Sequence, residues 1–169
     1  ATWAQKLIMN WRFAWRVASR YVAGINIVDV INVTRDLNAQ GLNVTIDHLG
    51  ENATTAEDTL SATKEVISLL QAIDKNDVRA NVSIKLTQFG LNINTDLCKS
   101  NLSKIIECAK KTRNFIRIDM EDSSITQETI DLVNWLKGVY PGVGTVIQSY
   151  LYRSEQDVLN LTNDCIPIR

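Results

Sequence analysis

Phe115-Ile-Arg-Ile-Asp-Met-Glu-Asp122 opens as a β-strand and then stops abruptly. Ile116 and Ile118 are β-branched and share one side, while Arg117 and Asp119 take the other. The acids and hydroxyls of Met120-Glu-Asp-Ser-Ser124 suit a loop leading into a helix. Charged groups on one face of a strand inside an α/β chain are costly to bury unless paired or liganded. A structural Arg117–Asp119 pair is one explanation and a polar site is the other; the neighbouring strands favour the site.

Working upstream from that strand, Asn81-Val-Ser-Ile-Lys-Leu-Thr87 repeats the pattern, with Ser83, Lys85 and Thr87 alternating with Val82, Ile84 and Leu86. Between the two, Thr95 and Asp96 start a helix whose buried side is Cys98, Leu102, Ile105, Ile106 and Ala109, with Lys110 and Lys111 in its last turn. Leu42-Asn-Val-Thr-Ile-Asp47 is an earlier strand, and Thr54-x-x-Glu57 reads as a capping box. The helix after it presents Leu60, Thr63, Ile67, Leu70 and Ile73 on one face. Downstream, a helix from Thr126 to about Lys137 ends at Gly138, and Tyr140-Pro-Gly142 turns the chain into a strand over Gly144–Tyr150. Gln148 and Tyr150 share one side of it, Ser154-x-x-Asp157 caps another short helix, and Ile166-Pro-Ile-Arg169 begins a fifth strand.

The front of the chain is different. Residues 1 to about 22 carry an amphipathic helical pattern, and a second helix over Ile25–Gln40 ends at Gly41, where a glycine belongs just past a helix. The chain thus divides into an N-terminal helical segment over 1–40 and an alternating strand–helix region over 41–169.

Such alternation implies parallel strands joined by right-handed crossovers, in an open doubly wound sheet or a (β/α)8 barrel. A dinucleotide-binding sheet carries a glycine-rich turn after its first strand. Here that turn is Asp47-His-Leu-Gly-Glu51, one glycine among acids. Strands covered on both faces would be continuously apolar, and these are not. Polar residues toward the C-terminal strand ends suit the mouth of a TIM-type barrel. The expected fold is therefore a (β/α)8 barrel truncated to about its first five strands and preceded by N-terminal helices. A homo-oligomer or a second polypeptide would be needed to complete the barrel if no more of the chain exists.

The 169 residues are 45% hydrophobic, enough for one core, and the net charge of -1 argues against a nucleic-acid surface. No apolar run spans a bilayer and no basic–apolar–small order opens the chain, so a cytoplasmic protein is expected. Cys98, Cys108 and Cys165 lack metal-ligand spacing and are expected to be reduced and mostly buried.

Four ordered motifs make the sequence resemble proline dehydrogenase. They are Val44-Thr-Ile-Asp-His-Leu-Gly-Glu51, Asn81-Val-Ser-Ile-Lys-Leu-Thr-Gln-Phe-Gly90, Phe115-Ile-Arg-Ile-Asp-Met-Glu-Asp-Ser-Ser124 and Gln148-Ser-Tyr-Leu-Tyr-Arg153. The resemblance implies a flavin-dependent barrel enzyme that moves a hydride from the ring carbon beside the nitrogen of L-proline to FAD, giving 1-pyrroline-5-carboxylate. It implies catalytic roles for Asp119 and Arg169, a substrate-carboxylate contact for Lys85, and FAD contacts for Met120 and Gln148. It further implies a quinone electron acceptor and peripheral contact with the inner face of the membrane. The motifs end before the family's later FAD contacts and its substrate-binding arginine pair, so a non-catalytic half-barrel is the second reading.

Two residue-level alternatives stand beside this. Lys85 and Asp119 could be only a structural ion pair. His48, with Asp47, Glu51 and Glu121, could serve a metal-dependent barrel enzyme, although a lone histidine beside acids is more often a hydrogen-bonded loop residue. No metal site is expected.

Overall fold

The structure, a computed structural model, describes residues 22–50 and 52–169. The helix expected over residues 1 to about 22 lies, but for its last residue, outside the described residues, as does Glu51. Helix α1 (Ile27–Ala39) starts at Asn26, whose side chain accepts from the Asp29 amide, and gives way to Gly41 at φ +83°, which a side chain would strain. Strand β1 (Val44–Asp47), helix α2 (Ala56–Lys75), β2 (Ala80–Ile84), α3 (Thr95–Thr112), β3 (Ile116–Ile118), α4 (Thr126–Val139), β4 (Val143–Thr145) and α5 (Ser154–Asn163) follow in alternation.

All four strands are parallel and lie in the order β1-β2-β3-β4, each beside the one before it. A doubly wound sheet would reverse its strand order partway. Sequential order with right-handed crossovers instead keeps every helix on one side, as a barrel does. The chain then adds to β4: Thr145 pairs with Ile168 in parallel, the Thr145 amide donates to Pro167 O at 2.9 Å, and the Arg169 amide donates to Thr145 O at 3.1 Å. The fifth strand thus begins where the sequence places it.

Register divides the strand residues between two faces. Val82, Ile84, Ile116, Ile118 and Val143 are completely buried, packed in one core with Val66, Leu70, Leu102, Ile105 and Val133 from the helices. Each such side chain contributes roughly 1.5–3 kcal/mol on leaving water. The opposite face carries Thr45 beside Asn81, Asp47 beside Ser83, and Ser83 beside Arg117.

Several boundaries differ from the sequence reading. The strand after Asn81 ends at Ile84, because Leu86–Phe89 turn into a single 3₁₀ helix; Thr87 is therefore a turn residue. The last long strand is only Val143–Thr145, and Gln148 and Tyr150 lie beyond it, with Tyr150 exposed. The α2 cap is Thr55, one residue later than expected: its hydroxyl accepts from the Asp58 amide. Thr63, Leu70 and Ile73 of the expected α2 face are buried, joined by Thr59, Ala62, Val66 and Leu69, while Leu60 is exposed. Thr59 and Thr63 tolerate burial because their hydroxyls donate to carbonyls one turn back, at Ala56 and Thr59. Ser154 and Asp157 do not form a cap; α5 is preceded by Arg153, which holds Asp157 at 2.7 Å. Cys98 and Cys108 are buried, but Cys165 is exposed.

Candidate active site

Each parallel strand delivers one polar residue at or just beyond its C-terminal end. Asp47 closes β1, Lys85 follows β2, Asp119 follows β3, Gln148 follows β4, and Arg169 follows the residue that bridges to β4. Parallel strands in register make these positions neighbours, which no separation along the sequence would suggest.

Asp119 is the centre of the group. Its side chain is 14% exposed, and Oδ1 accepts from Ser83 Oγ at 2.5 Å and from Arg169 Nη2 at 3.2 Å. Lys85 Nζ lies 3.8 Å from its other oxygen. The tighter partner of Lys85 is Asp47, with Nζ 3.0 and 3.3 Å from the two carboxylate oxygens. Lys85 is itself mostly buried at 16% exposure, whereas Asp47 is 41% exposed and remains partly hydrated. A simple Lys85–Asp119 structural pair is therefore the wrong description: two carboxylates and two cations share the strand ends, at contact distances that leave the Lys85 ammonium between the acids.

Arg117 lies one pleat further in on the same face. Its guanidinium stacks over the Phe115 ring at 5.3 Å, and its Nε is buried without a hydrogen-bond partner among the described residues. Burial, and then the nearby Arg169 charge, lower its pKa below the usual arginine value. The Arg117–Asp119 pair that the sequence allowed is an electrostatic one, while the direct hydrogen bonds to Asp119 come from Ser83 and Arg169.

A second layer surrounds Gln148. Its Nε2 donates to the Glu121 carbonyl at 2.9 Å, leaving Oε1 buried without a partner among the described residues. The Glu121 carboxylate in turn accepts from the Thr87 amide at 3.1 Å and from the Thr87 hydroxyl. Met120 is 8% exposed, its side chain packed in the hydrophobic core. Any contact it makes at the strand mouth is left to its main chain.

Of the residues of the metal alternative, Glu51 lies outside the described residues and the other three are otherwise engaged. His48 Nε2 is 2.8 Å from Glu65 and Nδ1 is 2.6 Å from Gln88, Asp47 is bound to Lys85, and Glu121 to Thr87. Among the described residues no three His, Cys, Asp or Glu side chains converge in a way that could hold a metal ion. Asp47 and Ser83 were not singled out from the sequence as partners of Lys85 and Asp119. Their signal was present in the strand alternation, since Asp47, Ser83 and Arg117 occupy one register row.

A parallel β/α chain wound in one direction, with charged and amide side chains gathered at the C-terminal strand ends, defines a barrel-enzyme scaffold. The family model for proline dehydrogenase matches residues 30–165, and the chain belongs to that family. It is 39% identical over 157 residues to proline dehydrogenase 2 of Bacillus subtilis (strain 168), covering 92% of this chain and 51% of that protein. Proline dehydrogenase of Deinococcus radiodurans is 35% identical over 152 residues, covering 87% and 49%. The chain thus spans about half the length of these relatives. Among solved structures, proline utilization A from Bdellovibrio bacteriovorus, inactivated by N-propargylglycine, superposes with a TM-score of 0.81 at 19% identity, covering 92% of this chain and 20% of that one. Proline utilization A from Bradyrhizobium japonicum gives a TM-score of 0.73 at 18% identity, covering 93% and 18%. These superpositions bear out the truncated TIM-type barrel.

Proposed function

We propose that this chain carries the first part of the active site of an FAD-dependent enzyme that oxidises L-proline to 1-pyrroline-5-carboxylate. The observation that carries the reading is the convergence of Lys85, Asp119 and Arg169 at the strand ends. Lys85 offers an ammonium to the proline carboxylate, and Asp47 and Asp119 hold that ammonium in place. Arg169, tethered to Asp119, is the proposed cation for the cofactor, with a guanidinium that carries five N–H donors.

Residues fitted to a flavin are present. Gln148 Nε2 is held by the Glu121 carbonyl, and its buried Oε1 has no partner among the described residues, which suits a ring N–H. A buried carbonyl left without a donor is destabilising, and a cofactor N–H would relieve it. The main chain at Met120, next to Asp119, is the other proposed flavin contact. When bound, FAD supplies the hydride acceptor, and quinone is the proposed final electron acceptor. No helix among the described residues is long and apolar enough to cross a membrane. The proposed contact with a quinone pool is peripheral, at the inner face of the membrane.

The test uses the complete protein. Flavin absorbance together with proline-dependent reduction of a dye supports the proposal; a protein that retains flavin but reduces no dye with proline refutes the substrate assignment. In a parallel preparation of residues 1–169 alone, colourless, folded protein that FAD does not reconstitute favours the non-catalytic half-barrel.

A further inference from the structure

The strand mouth accounts for Asp47 but not for the residue after it. His48, the chain's only histidine, is held at both ring nitrogens: Nε2 by Glu65 of α2 at 2.8 Å and Nδ1 by Gln88 at 2.6 Å. Glu65 is steadied by Ser61, whose hydroxyl donates to its other oxygen at 3.1 Å. We propose that His48 is a positioning residue that aligns the Asp47–Lys85 pair for the substrate carboxylate. The proposal rests on the reading of Lys85 as the carboxylate-binding group.

The geometry is that of two rungs between the same two chain segments. Asp47 reaches Lys85, and the next residue, His48, reaches Gln88, in the 3₁₀ turn that Lys85 precedes. That turn is closed by the Gln88 amide donating to Lys85 O at 3.1 Å, so fixing Gln88 fixes the main chain that carries Lys85. Two backbone N–H groups extend the docking: Asn52 N donates to the Thr87 hydroxyl oxygen at 3.2 Å and Ala53 N to Thr87 O at 3.3 Å. Gln88 is 5% exposed and packs against Gly50, where an added Cβ would stand 2.4 Å from its amide nitrogen. The contact is therefore too tight for any larger residue to replace that glycine without displacing Gln88.

Hydrogen-bond chemistry fixes the form of the ring. With the Gln88 amide oriented so that its NH₂ faces the ring, Nδ1 accepts from Gln88 and the ring proton lies on Nε2, where the Glu65 carboxylate accepts it; the same orientation leaves Gln88 Oε1 buried without a partner among the described residues. The Gln88 rung needs an unprotonated nitrogen at Nδ1, and the Glu65 rung needs a carboxylate; each partner selects the same tautomer. With the rung gone, Asp47, already 41% exposed, would be free to turn toward water, and Lys85 would lose its nearer anchor.

The test is made in the complete enzyme, with His48→Ala, His48→Asn and Lys85→Met measured side by side. His48→Ala is expected to raise KM for proline about tenfold while kcat changes less than about twofold, because the ammonium is misplaced rather than removed. His48→Asn keeps an acceptor near the place of Nδ1 and should recover most of that loss. A purely structural histidine would lower thermal stability in both variants and leave KM alone, which would overturn the proposal. Should Lys85→Met itself leave KM unchanged, the carboxylate reading fails and this one with it; should Lys85→Met raise KM while His48→Ala does not, this one fails alone. Nitrogen-15 NMR of the imidazole reads the ring without any assay of activity. The Nε2–H tautomer is expected, and the Nδ1–H tautomer would overturn the assignment even if a His48 variant did not fold.

Discussion

Replacing Lys85 by methionine removes the ammonium but keeps most of the apolar stem, so it separates binding from packing. In the wild type, Nζ sits 3.0 Å from Asp47 and 3.8 Å from Asp119, and it is 16% exposed. A charge-assisted hydrogen bond to a carboxylate is worth about 1.5–3 kcal/mol, which corresponds to roughly 10- to 150-fold in kcat/KM. The two acids already compete for the ammonium, which favours the lower half of that range. The cost to folding is smaller. Asp47 is exposed enough to be rehydrated, and Asp119 keeps its bonds from Ser83 and Arg169, so about 1 kcal/mol or less is expected. Steady-state dye reduction across a proline titration, run beside thermal melts, measures both quantities. An unchanged kcat/KM would refute the carboxylate role. A large loss of stability with unchanged kinetics in the folded fraction would show that Lys85 is a structural cation.

Gln148→Ala removes the buried acceptor fixed by Glu121 and should weaken flavin binding or shift its reduction potential; an identical spectrum, affinity and potential would remove Gln148 from the site. Leu102→Ala, at a fully buried position on α3, should cost about 2–5 kcal/mol in urea unfolding. Thr55→Ala removes the α2 cap and should cost about 1 kcal/mol, read as a small fall in Tm. Among the three cysteines only Cys165 is exposed, and burial pushes the Cys98 thiol up to about 12, so native protein at neutral pH should show fast labelling at Cys165 and protection at Cys98. Rapid labelling of Cys98 would contradict its burial.

The barrel class was legible because each strand alternates. Val82 and Ile84 against Ser83 and Lys85, and Ile116 and Ile118 against Arg117 and Asp119, report one face packed on helices and one turned inward. Strand ends were less legible, since the step from β2 into a 3₁₀ turn at Leu86 keeps the same hydrophobic alternation while the backbone has already left the sheet. The cap of α2 was misplaced by one residue because Thr54-x-x-Glu57 and Thr55-x-x-Asp58 both fit the pattern, and only geometry distinguishes them. Within the site, Lys85 and Asp119 could be selected from their motifs, but the closer Lys85–Asp47 pairing depends on strand register, which one sequence does not encode locally. His48 was correctly read as a hydrogen-bonded loop residue, yet its partners lie 17 and 40 positions away and could not be named.

The uninterrupted order of strands has a consequence for how the protein is made. Each strand's template is the one synthesised just before it, and β2, β3 and β4 need nothing C-terminal to themselves to find their left-hand neighbour. Assembly can therefore keep pace with translation, one repeat docking as the next leaves the ribosome, and the inward charged residues are brought into register one at a time rather than in a single late collapse.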